Sequence, residues 1–190
     1  MSFTVQSLTY GLWAALAAVW IVGTLRNKQT VRSQPAASRA LHSGLLLLGI
    51  LLIFAPQPDL GSLSSRFVPR NGIAEECGLV LTALGVGFAI WARVFLGGNW
   101  SATVTVKERH TLVRSGPYRI VRHPIYTGLL LAMLGTAISV GELRALLGWL
   151  PVLVGFWYKS RLEESYLLAE FGEQYVVYRE HTKSLIPFVF

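Results

Sequence analysis

Five long apolar stretches constrain the fold of this 190-residue chain more than any other feature of its sequence. A helix needs about 20 predominantly apolar residues to cross a bilayer, and the shorter stretches reach that length once flanking residues with snorkelling Lys and Arg side chains are counted. With 53% hydrophobic and 14% charged residues, the chain has too few polar groups to enclose five such helices in a soluble domain. The sequence therefore predicts an all-α, polytopic membrane protein with about five transmembrane helices, over residues 8–25, 41–54, 73–96, 125–140 and 143–158.

The first apolar stretch is expected to be a retained helix. No Lys or Arg precedes Arg26, so the basic segment that begins a cleavable signal peptide is missing.

Basic residues are distributed unevenly among the connections. Fourteen of the 17 Lys and Arg residues lie in the first connection, in the third connection with the end of the third helix, and in the tail. Cytoplasmic loops of membrane proteins carry such an excess, so the sequence predicts an N-terminus outside and a C-terminus in the cytoplasm. The net charge of +7 is then accounted for by topology and by anionic lipid, and no nucleic-acid partner is expected.

The chain divides into a first half with little candidate chemistry and a second half rich in polar residues. We expect residues 1–72 to form a two-helix membrane scaffold and residues 73–190 to form the functional core. In the scaffold, single polar residues near helix ends are expected to have interfacial roles: Gln6, Thr9, Thr24 and His42. The single cysteine, Cys77, is expected to be a small core residue. No metal site is expected, because His110 and His123 lie thirteen residues apart and share no ligand spacing with Cys77.

Turn and cap residues predict where the helices of the second half of the chain begin and end. Residues 102–106 alternate weakly between polar and apolar, too briefly for a stable strand alone. Gly141 and Glu142 predict a tight turn between the fourth and fifth helices. The fifth helix is expected to continue beyond the bilayer to about Glu170, with Gly172 as its C-cap. In the following segment, residues 174–180, the spacing of Tyr175 and Tyr178 places both rings on one face.

Two polar clusters, residues 110–128 and 159–178, fall on the predicted cytoplasmic side. In the first cluster, Pro124 suits the first position of a helix, whose free N–H groups can receive an anion. Gly128, one turn later, permits close approach of a ligand or of another helix. Contact of Arg119 and Arg122 with lipid headgroups is the alternative interpretation.

The second cluster contains two adjacent acids, Glu163 and Glu164, where an apolar helix leaves the bilayer. Anionic lipid disfavours acids at this position, so they need another partner. An ion pair between Lys159 and Glu163 along the helix is one interpretation. The other is that Glu163 accepts hydrogen bonds from an ammonium or a ribose while Lys159 faces an anionic substrate group.

Two sequence motifs resemble those of a known enzyme family. The strings HTLVRSGPYRIVRHPIYTG, residues 110–128, and RLEESYLLAEFGEQYVVYREHTKSLIPF, residues 161–188, resemble the isoprenylcysteine carboxyl methyltransferase family and its bacterial and archaeal relatives. That family lies within a wider group that includes the phospholipid methyltransferases, and the resemblance covers residues 96–188. It implies an integral membrane enzyme that transfers a methyl group from S-adenosylmethionine to a lipophilic acceptor.

The resemblance also implies roles for individual residues. Lys159 stands where the family presents an arginine to the substrate, and lysine cannot form the bidentate fork that arginine makes with a carboxylate. Arg122 is a candidate for orienting an acceptor anion, with a structural role as the alternative. The residues expected to contact the cofactor are Thr105, His110, Thr111, Leu112, Val113, Tyr118, His123, Pro124, Ile125, Tyr126 and Glu163.

Possible methyl acceptors differ in whether the enzyme must supply a base for them. A carboxylate is ionised at neutral pH and needs none, and the carboxylate of a prenylated cysteine or a related small acid is the first expectation. Thiol, amine and phenol acceptors are the next expectation, and these need a general base or a depressed pKa of the acceptor group itself. Two other functions stay open on the sequence: an NADPH-dependent membrane reductase of the sterol-reductase type and a non-catalytic membrane scaffold.

Overall fold

The computed structural model describes residues 1–24, 30–33, 35–55, 60–69, 72–97, 100, 105–107 and 112–187. Within these ranges the chain forms six α-helices, two short strands and two short 3-10 turns. The helices are α1 (Phe3–Thr24), α2 (Ala36–Phe54), α3 (Gly72–Leu96), α4 (Pro124–Val140), α5 (Leu143–Phe171) and α6 (Glu173–His181), and the strands are β1 (Thr30–Ser33) and β2 (Thr105–Lys107).

All five predicted apolar stretches are helical over their described residues. Among them, α1, α2 and α3 are long and apolar enough to cross a membrane by length and composition, which makes the chain an integral membrane protein. The apolar helix α4 has 17 residues, and α5 has 29 residues with an apolar first half and a polar second half. Spanning length is therefore confirmed for three helices, while spans through α4 and α5 stay predictions.

The two strands are a departure from the all-α prediction. The described end of the weakly alternating segment, Thr105 and Val106, does lie in a strand, β2, which pairs antiparallel with β1 in the first connection. A three-residue strand is stable only with a partner, and its partner lies about 75 residues earlier in the chain. The pairing joins the first and third connections.

The second and fourth connections also meet each other. The Phe67 N–H donates to the Gly141 carbonyl at 3.1 Å, and the Leu143 N–H donates to the Ser65 carbonyl at 2.9 Å. Gly141 ends α4 with a φ of 72°, which confirms the predicted tight turn. The first connection thus contacts the third and the second contacts the fourth, as expected when consecutive helices run in alternating directions.

Small residues allow α3 and α4 to pack backbone against backbone. A Cβ atom on Gly85 would lie 2.4 Å from the Ala132 nitrogen, and one on Gly128 would lie 2.6 Å from the Ala89 nitrogen. Helices in lipid associate through such close packing because burial of apolar surface gains little there. Gly128 therefore packs against a helix, as the second interpretation of that residue proposed.

A buried hydroxyl pair adds polar contacts to the same interface. Thr82 Oγ1 lies 3.3 Å from Thr136 Oγ1, and Trp13 Nε1 of α1 donates to Thr136 Oγ1 at 3.1 Å. These bonds join three helices at one level of the bundle.

Substitution of Gly85 by alanine is expected to lower the free energy of unfolding by about 1–3 kcal/mol, because the added methyl group overpacks a backbone contact. A methyl group on Gly87 of the same helix would meet no neighbouring element within 4 Å, so Gly87→Ala is the matched control. Thermal unfolding of both variants in detergent measures the difference. Equal melting temperatures for the two variants would contradict this view of the α3–α4 interface.

Two expectations for single residues of the first helices are wrong. Cys77 is exposed rather than buried, and Thr9 and His42 are buried between helices rather than lying at an interface. The physical reason is rotation about the helix axis, which turns Cys77 outward from α3 and His42 toward α5.

Candidate active site

The fourth helix begins where the sequence predicted. Pro124 occupies its first position and His123 is the N-cap, after a 3-10 turn over Gly116–Arg119. The missing N–H of Pro124 costs nothing at that position, and its ring fixes a helical φ. His123 is thereby held at the junction between a loop and a buried helix.

The chain after α6 lies along this junction. The Arg122 N–H donates to the Lys183 carbonyl at 2.8 Å, the His123 N–H donates to the Ser184 carbonyl at 3.1 Å, and Thr127 Oγ1 donates to the Leu185 carbonyl at 2.6 Å. These bonds bring the two sequence motifs into direct contact.

Glu164 is the centre of the contact between the motifs. Its Oε1 atom accepts hydrogen bonds from Arg122 Nε at 2.9 Å, Arg122 Nη2 at 2.7 Å, His123 Nε2 at 3.3 Å and Ser184 Oγ at 3.2 Å. Burial disfavours the ionised carboxylate, but the hydrogen bonds from His123 and Arg122 outweigh that penalty and lower the pKa of Glu164 to about 2. The side chain is ionised at neutral pH and almost inaccessible.

Glu163 points to the opposite side of the same junction. The Tyr126 hydroxyl donates to its Oε1 atom, and His123 Nδ1 lies 3.3 Å from its Oε2 atom. Its side chain is 22% exposed, compared with 5% for Glu164. Glu163 is therefore the acid of this pair that a ligand can reach.

His123 bridges the two carboxylates. A carboxylate faces each of its ring nitrogens, and ionised carboxylates only accept hydrogen bonds, so both nitrogens carry hydrogen. Burial lowers the pKa of His123, but the bonds to Glu163 and Glu164 outweigh it and the net direction is upward. The imidazolium balances one of the two adjacent negative charges.

A series of four rings leads from this junction into the bundle. The rings of His123 and Tyr126 are stacked with centroids 5.6 Å apart, and those of Tyr126 and Phe156 are stacked at 4.8 Å. The His42 ring of α2 follows, 5.8 Å from Phe156. Lys159 Nζ lies 5.3 Å from the centre of the Tyr126 ring, so an ammonium faces the same ring that bonds to Glu163.

The last helix, α6, packs against the turn that precedes α4. Tyr175 and Tyr178 of α6 are both buried, which confirms that they share a face, and the Tyr178 hydroxyl donates to the Tyr118 carbonyl at 2.6 Å. Gly172, with a φ of 51°, ends α5 and turns the chain into α6, as predicted. Tyr118 is buried with its hydroxyl 3.5 Å from the Ala92 carbonyl.

The structure brings together most of the residues that the resemblance selected. Ile125 is a buried core residue and Val113 packs against the same core, while Leu112 is half-buried. Thr105 lies in β2, where its backbone pairs with Ser33. His110 and Thr111 lie outside the described residues. The residues that meet at the junction of α4 and α5 are Tyr118, Arg122, His123, Pro124, Tyr126, Lys159 and Glu163.

Two residues near the site were not predicted from the sequence to belong to it. For Glu164, the only local signal is its position next to Glu163. For His42, for which an interfacial role was expected, nothing in the neighbouring sequence indicates that it faces α5.

Comparisons with known proteins agree with the motifs. The model of the family described as phospholipid methyltransferase matches residues 74–174. Protein-S-isoprenylcysteine O-methyltransferase B of Arabidopsis thaliana is 33% identical over 116 residues, which cover 59% of this chain and 58% of that protein. Protein-S-isoprenylcysteine O-methyltransferase of Schizosaccharomyces pombe is 37% identical over 120 residues, which cover 62% of this chain and 51% of that protein. The chain thus spans between half and three fifths of the length of these relatives.

A solved structure has a similar fold. The eukaryotic intramembrane Ras methyltransferase ICMT, isoprenylcysteine carboxyl methyltransferase, aligns with a TM-score of 0.55 at 19% identity, covering 100% of this chain and 88% of the other. At this identity the likeness concerns the arrangement of the helices.

Proposed function

The chain belongs to the phospholipid methyltransferase family, and from this membership we propose that it is an integral membrane enzyme that transfers a methyl group from S-adenosylmethionine to a lipophilic acceptor. The observation that carries the proposal is the meeting of both motifs around Glu163, which is partly accessible and bonded to Tyr126 and His123. Within the family, these are the positions that the resemblance assigns to the cofactor.

The residues present fit the chemistry of S-adenosylmethionine. The cofactor carries an ammonium, ribose hydroxyls and a sulfonium, and it supplies a methyl group that is already activated for transfer. Glu163 offers a carboxylate to the ammonium or the ribose, and the Tyr126 ring offers an aromatic face to a cation. Tyr118 and the described residues Leu112, Val113, Pro124 and Ile125 are proposed as the surrounding wall, together with Thr105, His110 and Thr111.

The contribution of the protein to such a transfer is alignment and exclusion of water. The hydrogen bonds from Tyr126 and His123 fix the Glu163 carboxylate, so a ligand group bound to it is fixed as well. The stacked rings of Tyr126 and Phe156 form the apolar side of the site. A polar cofactor is proposed to enter from the cytoplasmic side and the acceptor from the lipid.

Lys159 is proposed to bind the acceptor. Its ammonium is buried and faces the Tyr126 ring, four residues before Glu163 on the same helix. A buried cation attracts an anionic group, and the names of the relatives indicate the carboxylate of a prenylated cysteine or a related small acid. Such a carboxylate needs no base, because it is ionised at neutral pH.

Arg122 is proposed to position the tail rather than to orient the acceptor. Its guanidinium donates to Glu164, to the Thr182 carbonyl and to the Arg179 carbonyl at 3.3 Å. These protein groups use both terminal nitrogens and Nε. A structural role, the alternative considered for this residue, accounts for all of these contacts.

We further propose that residues 1–72 are the scaffold and residues 73–190 the methyltransferase core, with the N-terminus outside and the C-terminus in the cytoplasm. Support for this orientation comes from the excess of basic residues in the first and third connections and the tail. The alternating association of the connections agrees with that topology.

Isothermal titration of the detergent-purified protein with S-adenosylhomocysteine tests the cofactor assignment. Binding in the micromolar range, with no heat from NADPH, is the expected result. Binding of NADPH instead, or no binding of either compound by folded protein, would contradict the methyltransferase function and favour the reductase or the scaffold.

A further inference from the structure

A cleft with a volume of about 460 Å³ lies between α6, with the chain that follows it, and the segment that precedes α4. Three cationic side chains, one carboxylate and one apolar side chain line it: Arg122, Val176, Arg179, Glu180 and Lys183. Residues 176, 179 and 180 are spaced three and four positions apart along α6, so they share one side of that helix. Neither Glu163 nor Tyr126 lines the cleft, which is therefore distinct from the proposed cofactor site.

The three cations of the cleft have few acids to neutralise them. Arg122 Nη2 lies 2.7 Å from Glu164 Oε1, and Arg179 Nε lies 4.0 Å from Oε2 of the same carboxylate. Glu164 is also shared with the imidazolium of His123. Among the residues that the structure describes, Lys183 and Glu180 take part in no ion pair. The cleft therefore has an excess of positive charge, and it attracts an anion.

One of the cations is held in place and the other two are exposed. The Arg122 N–H donates to the Lys183 carbonyl at 2.8 Å, and the Arg122 guanidinium donates to the carbonyls of Arg179 and Thr182 and to Glu164. Its side chain is only 9% exposed, whereas that of Arg179 is 42% exposed and Lys183 is exposed as well. A ligand in the cleft thus meets one fixed cation and two long side chains that can turn toward it.

The cleft lies at the level of the lipid headgroups in the proposed topology. There α4 enters the membrane from the cytoplasmic side at Pro124, two residues after Arg122. Exposed apolar side chains adjoin the cations along the chain: Ile120 is 45% exposed, Val177 43% and Ile186 44%. Cations next to exposed apolar residues are typical of a surface that contacts headgroups and acyl chains together. A soluble anion would use the cations alone, so these neighbours favour a lipid.

We infer that this cleft binds the phosphodiester headgroup of an anionic phospholipid. The inference rests on the proposed topology and adds a lipid site that is separate from the methyl transfer. A phosphodiester offers one negative charge and acceptor oxygens, which guanidinium and ammonium groups bind well. The headgroup of phosphatidylglycerol has this charge and no cation. The phosphate of phosphatidylcholine is balanced by an ammonium of its own, which the excess positive charge of the cleft disfavours.

A lipid bound in the cleft would hold the two sequence motifs together. It would contact Arg122 of the first motif and both Arg179 and Lys183 of the second. Because Glu164 joins Arg122 to His123, the lipid would stabilise the same junction from which the Glu163 carboxylate is fixed.

Native mass spectrometry of the protein in a neutral detergent tests the inference, because it counts bound lipids and gives their dissociation constants. We expect wild-type protein to bind phosphatidylglycerol about tenfold more tightly than phosphatidylcholine with the same acyl chains. Arg179→Gln and Lys183→Gln are each expected to weaken the binding of phosphatidylglycerol about fivefold, which is the contribution of a single basic residue beside anionic lipid. Glu180→Gln removes the opposing charge and is expected to strengthen this binding.

The matched control is Arg161→Gln. Arg161 is exposed on α5 and does not line the cleft, so the same change of charge is expected to leave lipid binding unaltered. Arg122 is kept in every variant, because its loss would also break the bonds to Glu164. In a second measurement, phosphatidylglycerol is expected to raise the melting temperature of wild-type protein more than that of Lys183→Gln, since a ligand of the folded state stabilises it.

Three results would overturn the inference. These are equal affinity for the two lipids, a loss in Arg161→Gln equal to that in the two cleft variants, or displacement of phosphatidylglycerol by glycerol phosphate at a similar concentration. The last result would identify a soluble phosphate compound as the ligand. Failure of S-adenosylhomocysteine to bind the same preparation is a different outcome, because it removes the proposed methyl transfer and leaves the lipid site unaffected.

Discussion

Replacing Glu163 by alanine is expected to weaken the binding of S-adenosylhomocysteine by about 10- to 100-fold. Hydrogen bonds to a charged group contribute about 1.5–3 kcal/mol, and every 1.4 kcal/mol corresponds to about a factor of ten in affinity. Glu163 is the reachable carboxylate of the site, and Tyr126 and His123 hold it in place. Isothermal titration with S-adenosylhomocysteine measures the change.

Two companion variants separate the charge from its orientation. Glu163→Gln keeps the shape but removes the charge, and a loss of affinity close to that of Glu163→Ala is expected. Tyr126→Phe keeps the ring that stacks on Phe156 and removes only the hydroxyl that fixes Glu163, so a smaller loss is expected. Glu170 is exposed on the same helix, and Glu170→Ala is the control. Undiminished affinity in Glu163→Ala would refute the assignment of this carboxylate to the cofactor.

Replacing Glu164 by alanine is expected to lower the free energy of unfolding by about 3–5 kcal/mol, because the buried Arg122 and His123 lose their shared anion. Four donor atoms converge on one oxygen of Glu164, so no neighbouring group can take its place without rearrangement. Chemical denaturation in detergent, followed by circular dichroism, measures the change.

The same Glu170→Ala variant is the control for stability, because it removes an exposed acid from the same helix. Glu164→Gln keeps hydrogen-bonding capacity without the charge, and its free energy of unfolding is expected to lie between those of the wild type and Glu164→Ala. If Glu164→Ala lost no more stability than Glu170→Ala, the junction of the motifs would not depend on the contacts of Glu164 with Arg122 and His123.

The two adjacent glutamates therefore have separate predicted roles. Neighbours on a helix point about 100° apart, so Glu164 turns to Arg122 and the tail while Glu163 turns to Tyr126 and the open side. Replacement of Glu163 is expected to affect ligand binding more than the free energy of unfolding, and replacement of Glu164 is expected to have the reverse order of effects.

Local signals in the sequence were enough to predict which segments are helices and where they end. Apolar length is a local property, so all five stretches and the start of α4 at Pro124 were predicted correctly. The left-handed residues Gly141 and Gly172 marked two helix ends for the same reason, since a cap depends on the chain next to it. The shared face of Tyr175 and Tyr178 could be predicted because the other face of α6 is polar.

The faces at which the membrane helices meet could be learned only from how the chain packs in three dimensions. A helix that is apolar all round gives no periodic signal for its buried side, and so Cys77 was placed inside and His42 at an interface, both wrongly. The pairing of β1 with β2 and the contact of Arg122 with Glu164 join residues far apart in the chain. Such contacts depend on how the helices rotate about their axes as they pack, and that rotation is set by backbone contacts such as Gly85 against Ala132 rather than by the composition of any one segment.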